Sequence, residues 1–232
     1  MISIRRSDER GRTEIGWLDS RHSFSFGDYH DPAFDCFGPL RVINEDWIAG
    51  GGGFPPHGHR DMEIVTYILE GALQHKDSIG GGGIIRPGEI QRMSAGAGIV
   101  HAEFNASRER PCHLLQIWIM PSREGIEPSY EQKALDAGAL RNRFARIAAP
   151  EPQPGEVRLV QDAEIWAVRL DAGMEAIHPL AAGRKAWLQV AKGEVTLAEE
   201  RLKAGDAAAI TDQHQIALKA ERESEVLLFD LA

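Results

Sequence analysis

Two short stretches of the sequence each carry a pair of potential metal ligands two positions apart. The first pair is His57 and His59, and the second is His101 and Glu103. If both stretches are β-strands, the two-residue period places the members of each pair on the same face. Three neutral imidazoles and a carboxylate form a donor set without thiolate, which suits Fe(II), Ni, Cu, Zn or Mn. The spacing therefore predicts one divalent transition-metal site, and the residues alone leave the metal open.

The elements that must position these pairs are short β-rich segments bounded by glycine, proline and aspartate. Three of them cover residues 63–69, 74–79 and 113–120. Segments this short suit the strands of a sandwich or barrel better than helices. Glycine runs at 50–53 and 80–83 allow tight turns and a close approach of the ligand strands. We therefore expect a small β-barrel around the site.

One segment, residues 131–146, has the composition and apolar spacing of a helix and follows the turn at 127–129. Beyond it, residues 149–155 contain three prolines in alternation, a pattern that disfavours both a helix and a central strand. We predict a domain boundary there, with an N-terminal metal-binding domain at 1–148 and a C-terminal domain at 149–232. Strands are predicted in the second domain at 157–170, 186–198, 207–211 and 225–231.

The two halves resemble each other in the order of their turns. The stretch from Tyr67 to Gly71 resembles the stretch from Gln189 to Gly193, and residues 86–89 resemble residues 203–206. Matched hairpins in matched order indicate a duplicated β-domain. The positions equivalent to 57 and 59 in the second half hold Pro179 and Ala181, and His178 and His214 stand alone. The second domain is therefore predicted to lack the metal.

Composition excludes several classes of function. The formal net charge is −9 without long runs of one sign, which does not favour direct nucleic-acid binding. The two cysteines, Cys36 and Cys112, form no Cys-x-x-Cys motif and are expected to be half-buried in a reducing compartment. No secretion leader and no apolar stretch near 20 residues long is found, so we expect a cytoplasmic protein with no membrane association.

The ligand pairs also sit in recognisable motifs. His57-x-His59-x3-Glu63 followed by Gly71, and Gly98-x2-His101-x3-Asn105, resemble the two motifs of the cupin superfamily, small jelly-roll β-barrels that hold one metal. The match departs from the usual pattern at two places. Seven residues rather than six separate Glu63 from Gly71, and Gly96 stands where the second motif usually has proline.

A longer series of matches resembles the pirin family. It comprises Gly16-Trp-Leu-Asp-Ser, His22-Ser-Phe-Ser-Phe-Gly27-Asp-Tyr, Leu40-Arg-Val-Ile-Asn-Glu-Asp46, His57-x-His-Arg-Asp-Met-Glu-Ile64 and Met93-Ser-Ala-Gly96. The resemblance implies an all-β fold of two tandem cupin (jelly-roll β-barrel) domains, with a short helical segment between or flanking them. It also implies a second domain that keeps this architecture without metal.

The pirin resemblance implies a specific ligand set. Carried over residue by residue, it gives His57, His59, His101 and Glu103 as ligands of one divalent ion, and Fe(II) is the ion that we expect. Glu63 is the alternative fourth ligand, because ordinary cupins use that position; its other role would be to orient a histidine. The remaining histidines of the first half are predicted to be structural or surface residues: His22, His30, His75 and His113.

The resemblance implies a reaction as well. Four protein ligands leave one or two positions of the ion open, which is typical of a catalytic site. Some pirins are quercetin 2,3-dioxygenases, which open the central ring of a flavonol such as quercetin with O2 and release carbon monoxide. Glu103 would be the catalytic base that deprotonates the flavonol. The alternatives are a non-enzymatic, metal-binding regulator that acts through a protein partner, and a metal-dependent dioxygenase or isomerase for another small molecule. We expect a monomer.

Overall fold

The computed structural model describes residues 1–232 and consists almost entirely of β-strands. The first twelve strands are β1 (Ile2–Arg5), β2 (Gly11–Ile15), β3 (Leu18–His22), β4 (Leu40–Ile48), β5 (Gly53–His59), β6 (Glu63–Glu70), β7 (Leu73–Asp77), β8 (Gly82–Ile85), β9 (Glu89–Ser94), β10 (Ile99–Asn105), β11 (Cys112–Ile119) and β12 (Ser129–Ala134). The other ten are β13 (Ala145–Ala149), β14 (Val157–Arg158), β15 (Ala163–Leu170), β16 (Glu175–Pro179), β17 (Lys185–Lys192), β18 (Glu194–Leu197), β19 (Glu200–Lys203), β20 (Ala207–Ile210), β21 (Gln215–Ala220) and β22 (Ser224–Leu231). One α-helix, α1 (Ala137–Leu140), and two 3-10 turns at Ser7–Glu9 and Pro32–Phe34 complete the elements.

The chain forms two compact units. The N-terminal unit comprises Gly11–Ala134 and Val157–Gln161, and the C-terminal unit comprises Met1–Arg10, Leu135–Glu156 and Asp162–Ala232. Residues 1–10 and 135–148 thus lie in the C-terminal unit. The domain boundary predicted from the sequence assigns these residues to the N-terminal domain. The first of these differences arises because β1 pairs antiparallel with β20, more than 200 residues along the chain. A strand pattern does not reveal so distant a partner.

The N-terminal unit contains two antiparallel sheets. One has the strand order β12-β9-β6-β11-β4-β3-β2, and the other has the order β5-β10-β7-β8. Apolar side chains of both sheets meet in one buried cluster, which includes Ile48, Ile68, Leu73, Ile85 and Leu114. The metal-ligand candidates lie in the smaller sheet, and that sheet is held in place by this shared core.

The C-terminal unit repeats this plan. Six of its strands have the order β1-β20-β17-β22-β15-β13, and a second sheet has the order β16-β21-β18-β19. Its core is a single cluster of Ala, Val, Leu and Ile side chains. The central strand β22 is buried along its whole length, as expected for a strand covered on both faces. The two units confirm the predicted all-β fold of two tandem cupin domains, although each consists of two separate sheets rather than the closed barrel that the sequence predicts.

The turns that the two halves share are alike in detail. Gly71 and Gly193 have φ of 76° and 82°, a left-handed conformation that strongly favours glycine. In the second matched turn, the Glu89 carboxylate accepts a hydrogen bond from the backbone N–H of Arg86 at 2.7 Å. Its counterpart Asp206 accepts one from the backbone N–H of Lys203 at 3.1 Å. The sequence repeat therefore corresponds to a structural repeat.

The prediction of a helix over 131–146 is wrong. Residues 129–134 form β12, which pairs with β9, and only α1 is helical, with its N-terminus capped by the Asp136 side chain. Pairing along a whole neighbouring strand overrides the modest helix propensity of Glu, Gln, Lys and Ala in this segment. No helix of the structure has the length and apolar character needed to cross a membrane.

The expectation for the cysteines is also wrong. Cys112 is fully buried in the core of the N-terminal unit, and Cys36 is exposed. Cys112 begins β11, a strand covered on both sides by neighbouring strands, whereas Cys36 lies between the 3-10 turn Pro32–Phe34 and β4. The two thiols are too differently placed to share one environment.

Candidate metal centre

The predicted ligand pairs lie on two adjacent strands. β10 pairs with β5 on one side, where His101 is opposite His57, and with β7 on the other side, where Glu103 is opposite His75. β5 is the edge strand of its sheet, which tolerates Pro55 and Pro56 because an edge strand need not donate every backbone N–H. Between the pairs His101–His57 and Glu103–Phe54 the register shifts by one residue, and the extra residue lies in β5, so β5 bulges at the site.

The three histidines predicted as ligands meet in space. Nε2 of His57 lies 3.0 Å from Nε2 of His101. The ring centroid of His59 lies 4.8 Å from that of His57 and 4.9 Å from that of His101. One ligand atom from each of the three rings lies within 4.8 Å of the others. Both members of the first pair and His101 of the second therefore face one another.

The proton on His57 is held on the side away from this cluster. Its Nδ1 donates a hydrogen bond to the backbone carbonyl of Pro55 at 2.8 Å. Since a carbonyl can only accept, the neutral ring leaves Nε2 unprotonated and facing His101. Metal-bound histidines are commonly fixed in this way, by a hydrogen bond from the other ring nitrogen to a carbonyl or carboxylate.

Burial keeps two of the rings neutral. It lowers the pKa of His59 to about 4, with the neighbouring His57 acting in the same direction. Burial also lowers the pKa of His101 to about 4, although the Glu103 carboxylate opposes it. Both rings therefore offer a lone pair at neutral pH, and an incoming cation need not displace a proton from either one.

Glu103 lies beside the three histidines but faces another group. Its Oε2 accepts a hydrogen bond from Nε2 of Gln116 at 2.9 Å, whereas its Oε1 is buried without a hydrogen-bond partner. With His75 and His101 it forms a second cluster of potential ligands. Burial raises the pKa of Glu103, but His75, His101 and Gln116 outweigh that effect and lower it. The result is a buried carboxylate with an unpaired oxygen.

These features fit a bound divalent cation. A buried anionic oxygen without a partner is costly, and a positive ion beside it removes that cost. Two nitrogens each about 2.1 Å from one ion and at right angles would lie about 3.0 Å apart, which matches the separation of Nε2 in His57 and His101. Nitrogen and oxygen donors without thiolate suit a first-row transition ion.

Glu63 is placed elsewhere. Its side chain is fully buried, and its Oε2 accepts a hydrogen bond from the backbone N–H of Val160 at 3.2 Å. Burial raises the pKa of Glu63, while Ser94 and Arg92 act against that shift. It belongs to neither cluster of potential ligands, and its contacts provide no hydrogen bond to a histidine.

The four histidines that were given structural or surface roles are in different places. His30 is exposed, and Nε2 of His113 lies 2.9 Å from the Glu45 carboxylate while its ring stacks on Trp47. His22 and His75 are both buried. His22 lines the cavity described next, and His75 touches His101, so two histidines near the site were missed by spacing alone.

A cavity of about 210 Å³ opens beside the cluster. Its lining includes the apolar and aromatic side chains of Leu18, Phe26, Phe54, Ile64 and Trp118. It also includes the polar side chains of Thr13, Ser20, His22, Asn44, Asp46 and Gln116. His57, His59, His101 and Glu103 also line it. An apolar cavity with a few convergent polar groups is typical of a small-molecule site.

Two cavity groups were not singled out by the sequence. Asp46 is buried, and burial raises its pKa to about 7 although Ser20 donates a hydrogen bond to it. The indole Nε1 of Trp118 is buried without a hydrogen-bond partner. The available signal was the spacing of two in β4, because Asn44 and Asp46 continue the strand face that begins with Leu40 and Val42.

The equivalent region of the C-terminal unit differs. Nε2 of His178 lies 3.1 Å from the Asp230 carboxylate, against which Arg184 also packs, and His214 is exposed. Both clusters of potential ligands belong to the N-terminal unit. That the second domain holds no metal stays a prediction.

Comparison with known families decides the classification. The model of the pirin family matches residues 4–119, and that of the quercetinase C-terminal cupin domain matches residues 146–231. The chain belongs to the pirin family. This pirin is 46% identical over 231 residues to the quercetin 2,3-dioxygenase of Escherichia coli (strain K12), covering 100% of this chain and 99% of that protein.

Solved structures agree with this assignment. The crystal structure of YhhW from Escherichia coli superposes on this pirin with a TM-score of 0.96 at 45% identity, covering 100% of this chain and 98% of the other. The structure of the bacterial pirin YhhW in complex with nickel(II) gives a TM-score of 0.94 at 44% identity, covering 100% and 99%. A pirin similar to this one over its full length therefore binds a divalent transition ion.

Proposed function

We propose that this pirin is a metal-dependent dioxygenase that cleaves the central ring of a flavonol such as quercetin with O2 and releases carbon monoxide. The observation that carries the proposal is the meeting of three imidazoles beside a buried carboxylate with an unpaired oxygen. The full-length similarity to a protein named quercetin 2,3-dioxygenase supports the choice of reaction and of substrate.

The proposed ligands are His57, His59, His101 and Glu103. One divalent ion held there would supply Lewis acidity and a meeting point for a flavonol oxygen and dioxygen. Fe(II) remains our first choice, and nickel gains support from the nickel(II) complex of the E. coli relative. Glu103 must turn its unpaired Oε1 toward the histidines to serve as the fourth ligand, since in the structure this carboxylate groups with His75 and His101.

The cavity wall suits a planar polyhydroxylated molecule. Phe26, Phe54 and Trp118 provide aromatic surface for flat rings. The polar side chains that line the cavity can donate hydrogen bonds to ring hydroxyls or accept hydrogen bonds from them. The volume of 210 Å³ is below the range of about 300–1,000 Å³ typical of sites that enclose a drug-sized ligand. We infer that part of the flavonol lies within the cavity and part lies at its mouth.

Proton removal from the flavonol 3-hydroxyl has two candidate acceptors. We assign it to Glu103, which lies at the histidine cluster. Asp46 is the alternative, because a base works best when its pKa is near the working pH, and burial raises the pKa of Asp46 to about 7. Both carboxylates line the same cavity.

The proposal is tested by combining metal analysis with activity. His57→Ala should lower both bound metal and quercetin-dependent O2 uptake, whereas His30→Ala, at an exposed histidine, should leave both unchanged. Glu103→Gln should lose more turnover than metal, and Asp46→Asn should keep most of both. A Glu103→Gln protein with full turnover would refute the role of Glu103, and loss of turnover only in Asp46→Asn would transfer that role to Asp46.

A metal-loaded protein that takes up no O2 with any flavonol would favour the alternative, a metal-binding pirin that regulates a protein partner without catalysis. The monomeric state, the protein partner and the cytoplasmic location remain predictions.

A further inference from the structure

Two residues of β7 form a polar chain behind His101. Every second side chain of this strand is buried, so Leu73, His75 and Asp77 share its inner face. Across the sheet, Asp77 is opposite His101 and His75 is opposite Glu103. The side chains of His75 and Asp77 have no exposed surface. Two buried polar side chains in contact with a candidate ligand need a role beyond packing.

Asp77 is held by the turn that follows its own strand. Its Oδ1 accepts hydrogen bonds from the backbone N–H groups of Ile79 at 3.0 Å and Gly81 at 2.8 Å. These two bonds fix the plane of the carboxylate and direct Oδ2 at Nε2 of His75, 3.2 Å away. Gly81 has to be glycine in this arrangement, because a Cβ there would lie 2.4 Å from that same Oδ2.

His75 is likewise fixed in orientation. Its ring lies against the ring of Tyr130, with centroids 4.8 Å apart and an angle of 28° between the planes. Its Nδ1 lies 3.4 Å from Nδ1 of His101, and Nε2 of His101 faces His57 on the opposite side of the ring. The Glu103 carboxylate is 4.0 Å from Nδ1 of His75, beyond hydrogen-bond length.

We propose that Asp77 and His75 are positioning residues that orient His101 and reserve its Nε2 for the metal. The inference rests on the proposed function, because it takes His101 as a ligand through Nε2. Once that nitrogen is coordinated, the proton of the neutral ring is on Nδ1 and must be donated to His75. His75 then carries its own proton on Nε2 and donates it to Asp77, which can only accept. With both rings neutral, each ring nitrogen of His101 and His75 then has one role.

This arrangement differs from direct coordination by His75. His75, His101 and Glu103 have ligand atoms close enough to hold an ion between them. In that case the nitrogens that face each other, Nδ1 of His75 and Nδ1 of His101, would be bound to metal, and Nε2 of His101 would carry the proton that faces His57. A similar hydrogen bond is present at His57, another candidate ligand. Its Nδ1 donates a hydrogen bond to the backbone carbonyl of Pro55, which leaves Nε2 for the metal.

Asp77→Asn tests the direction of the hydrogen bonds that run from His101 through His75 to Asp77. The two backbone donors hold the amide oxygen, so the amide NH2 faces Nε2 of His75 and forces the proton of that ring onto Nδ1. Two N–H groups then oppose each other between His75 and His101. We expect the affinity for nickel(II), measured by competition with a chelating dye, to fall about 10- to 100-fold.

Asp136→Asn is the matched control. Asp136 also accepts two backbone hydrogen bonds, from Gly138 and Ala139, but it contacts no histidine. Its substitution should leave nickel(II) affinity unchanged. His75→Leu removes both side-chain hydrogen bonds of the chain and should reproduce the loss caused by Asp77→Asn, so it keeps the test valid if Asp77→Asn fails to fold.

A second readout is independent of activity. In the zinc(II)-loaded protein labelled with ¹⁵N-histidine, nitrogen chemical shifts report which ring nitrogen carries a proton or a metal. We expect a protonated Nε2 and an uncoordinated, unprotonated Nδ1 in His75. A metal-bound Nδ1 in His75, a proton on that nitrogen, or an unchanged nickel(II) affinity in Asp77→Asn would each overturn the inference.

The inference and the proposed function fail differently. If the affinity and tautomer results hold but no flavonol is cleaved, only the dioxygenase proposal is lost. If flavonol cleavage depends on metal but Asp77→Asn binds nickel(II) normally, only the positioning role is lost. A protein that takes up neither ion overturns both.

Discussion

Two carboxyl groups that line the cavity of the N-terminal unit, those of Asp46 and Glu103, have pKa values shifted in opposite directions by their surroundings. Burial raises the pKa of Asp46 to about 7, and the charges of Glu103 and Glu45 add to this effect. The pKa of Glu103 is lowered instead, because nearby donors outweigh its burial. Carboxylates whose environments separate their pKa values can divide acid and base roles between them.

The raised pKa of Asp46 predicts a pH-dependent stability. Between pH 5 and 7 the folded protein keeps a proton on this carboxyl that the unfolded chain, with a pKa near 4, has released. Folding therefore binds a proton, and the contribution of Asp46 to the free energy of unfolding falls as pH rises through this window, then levels off above it. We expect a fall of about 3 kcal/mol between pH 5 and 8.

The measurement is chemical denaturation of metal-free protein at both pH values, for the wild type and for Asp46→Asn. The difference between the two proteins isolates Asp46, because other titrating groups affect both. Asp46→Asn should gain stability relative to the wild type as pH rises. A difference that stays constant with pH would show that Asp46 is ionised in the folded protein.

At the scale of elements, local patterns identify strands and turns but not the partners of a strand. The segment predicted at 63–69 is β6, and the one predicted at 113–120 is β11, each within one residue at either end. The placement of β1 beside β20 and of β12 beside β9 depends on pairing across long stretches of chain. Such pairing leaves no periodic signal in the strand itself.

The site shows the same limit. His57, His59, His101 and Glu103 were found because each pair lies on one strand, where a spacing of two is informative. His75 and Asp77 have that spacing too, but their importance comes from the neighbouring strand β10, which brings them to His101. Asp46 acquires its raised pKa in the folded protein, from burial first and then from the neighbouring charges of Glu103 and Glu45. Properties created by a contact between strands cannot be read from either strand alone.

Two glycines with nearly the same backbone conformation predict different costs of substitution. Gly193→Ala should destabilise the protein by more than about 2 kcal/mol, because a left-handed residue with a Cβ costs about 1–2 kcal/mol and this Cβ would meet the carbonyl oxygen of Glu223 at 2.2 Å. Gly183→Ala is the control, since it has a similar φ of 83° and open space around its Cβ.

Thermal or urea denaturation of both variants measures the difference. Gly183→Ala should show only the conformational cost, and Gly193→Ala that cost plus displacement of the chain at Glu223. Equal destabilisation would mean that the hairpin relaxes freely around position 193.

For the whole molecule, we expect one metal ion per chain although the fold is duplicated. The two units share their sheet plan and matched turns, but both clusters of potential ligands belong to the N-terminal unit. Metal binding should then stabilise the folded chain through a single site. An ion at 100 times its dissociation constant contributes about 2.7 kcal/mol.

Titration of metal-free protein with nickel(II) should raise the unfolding midpoint and saturate at one ion per chain. His57→Ala should abolish the rise, whereas His178→Ala, in the C-terminal unit, should retain it whatever its own stability. A rise that depends on His178 would place a metal in the second unit.

In the proposed reaction the histidine cluster holds an ion that is needed for flavonol cleavage. The most direct measurement follows dissolved O2 and released carbon monoxide when quercetin is added to the metal-loaded protein, the metal-stripped protein and the reloaded protein. We predict equimolar O2 consumption and carbon monoxide release by the loaded protein, loss of both on stripping, and recovery on reloading. Turnover that survives complete removal of the metal, or a fully loaded protein that consumes no O2 with quercetin or other flavonols, would contradict the account.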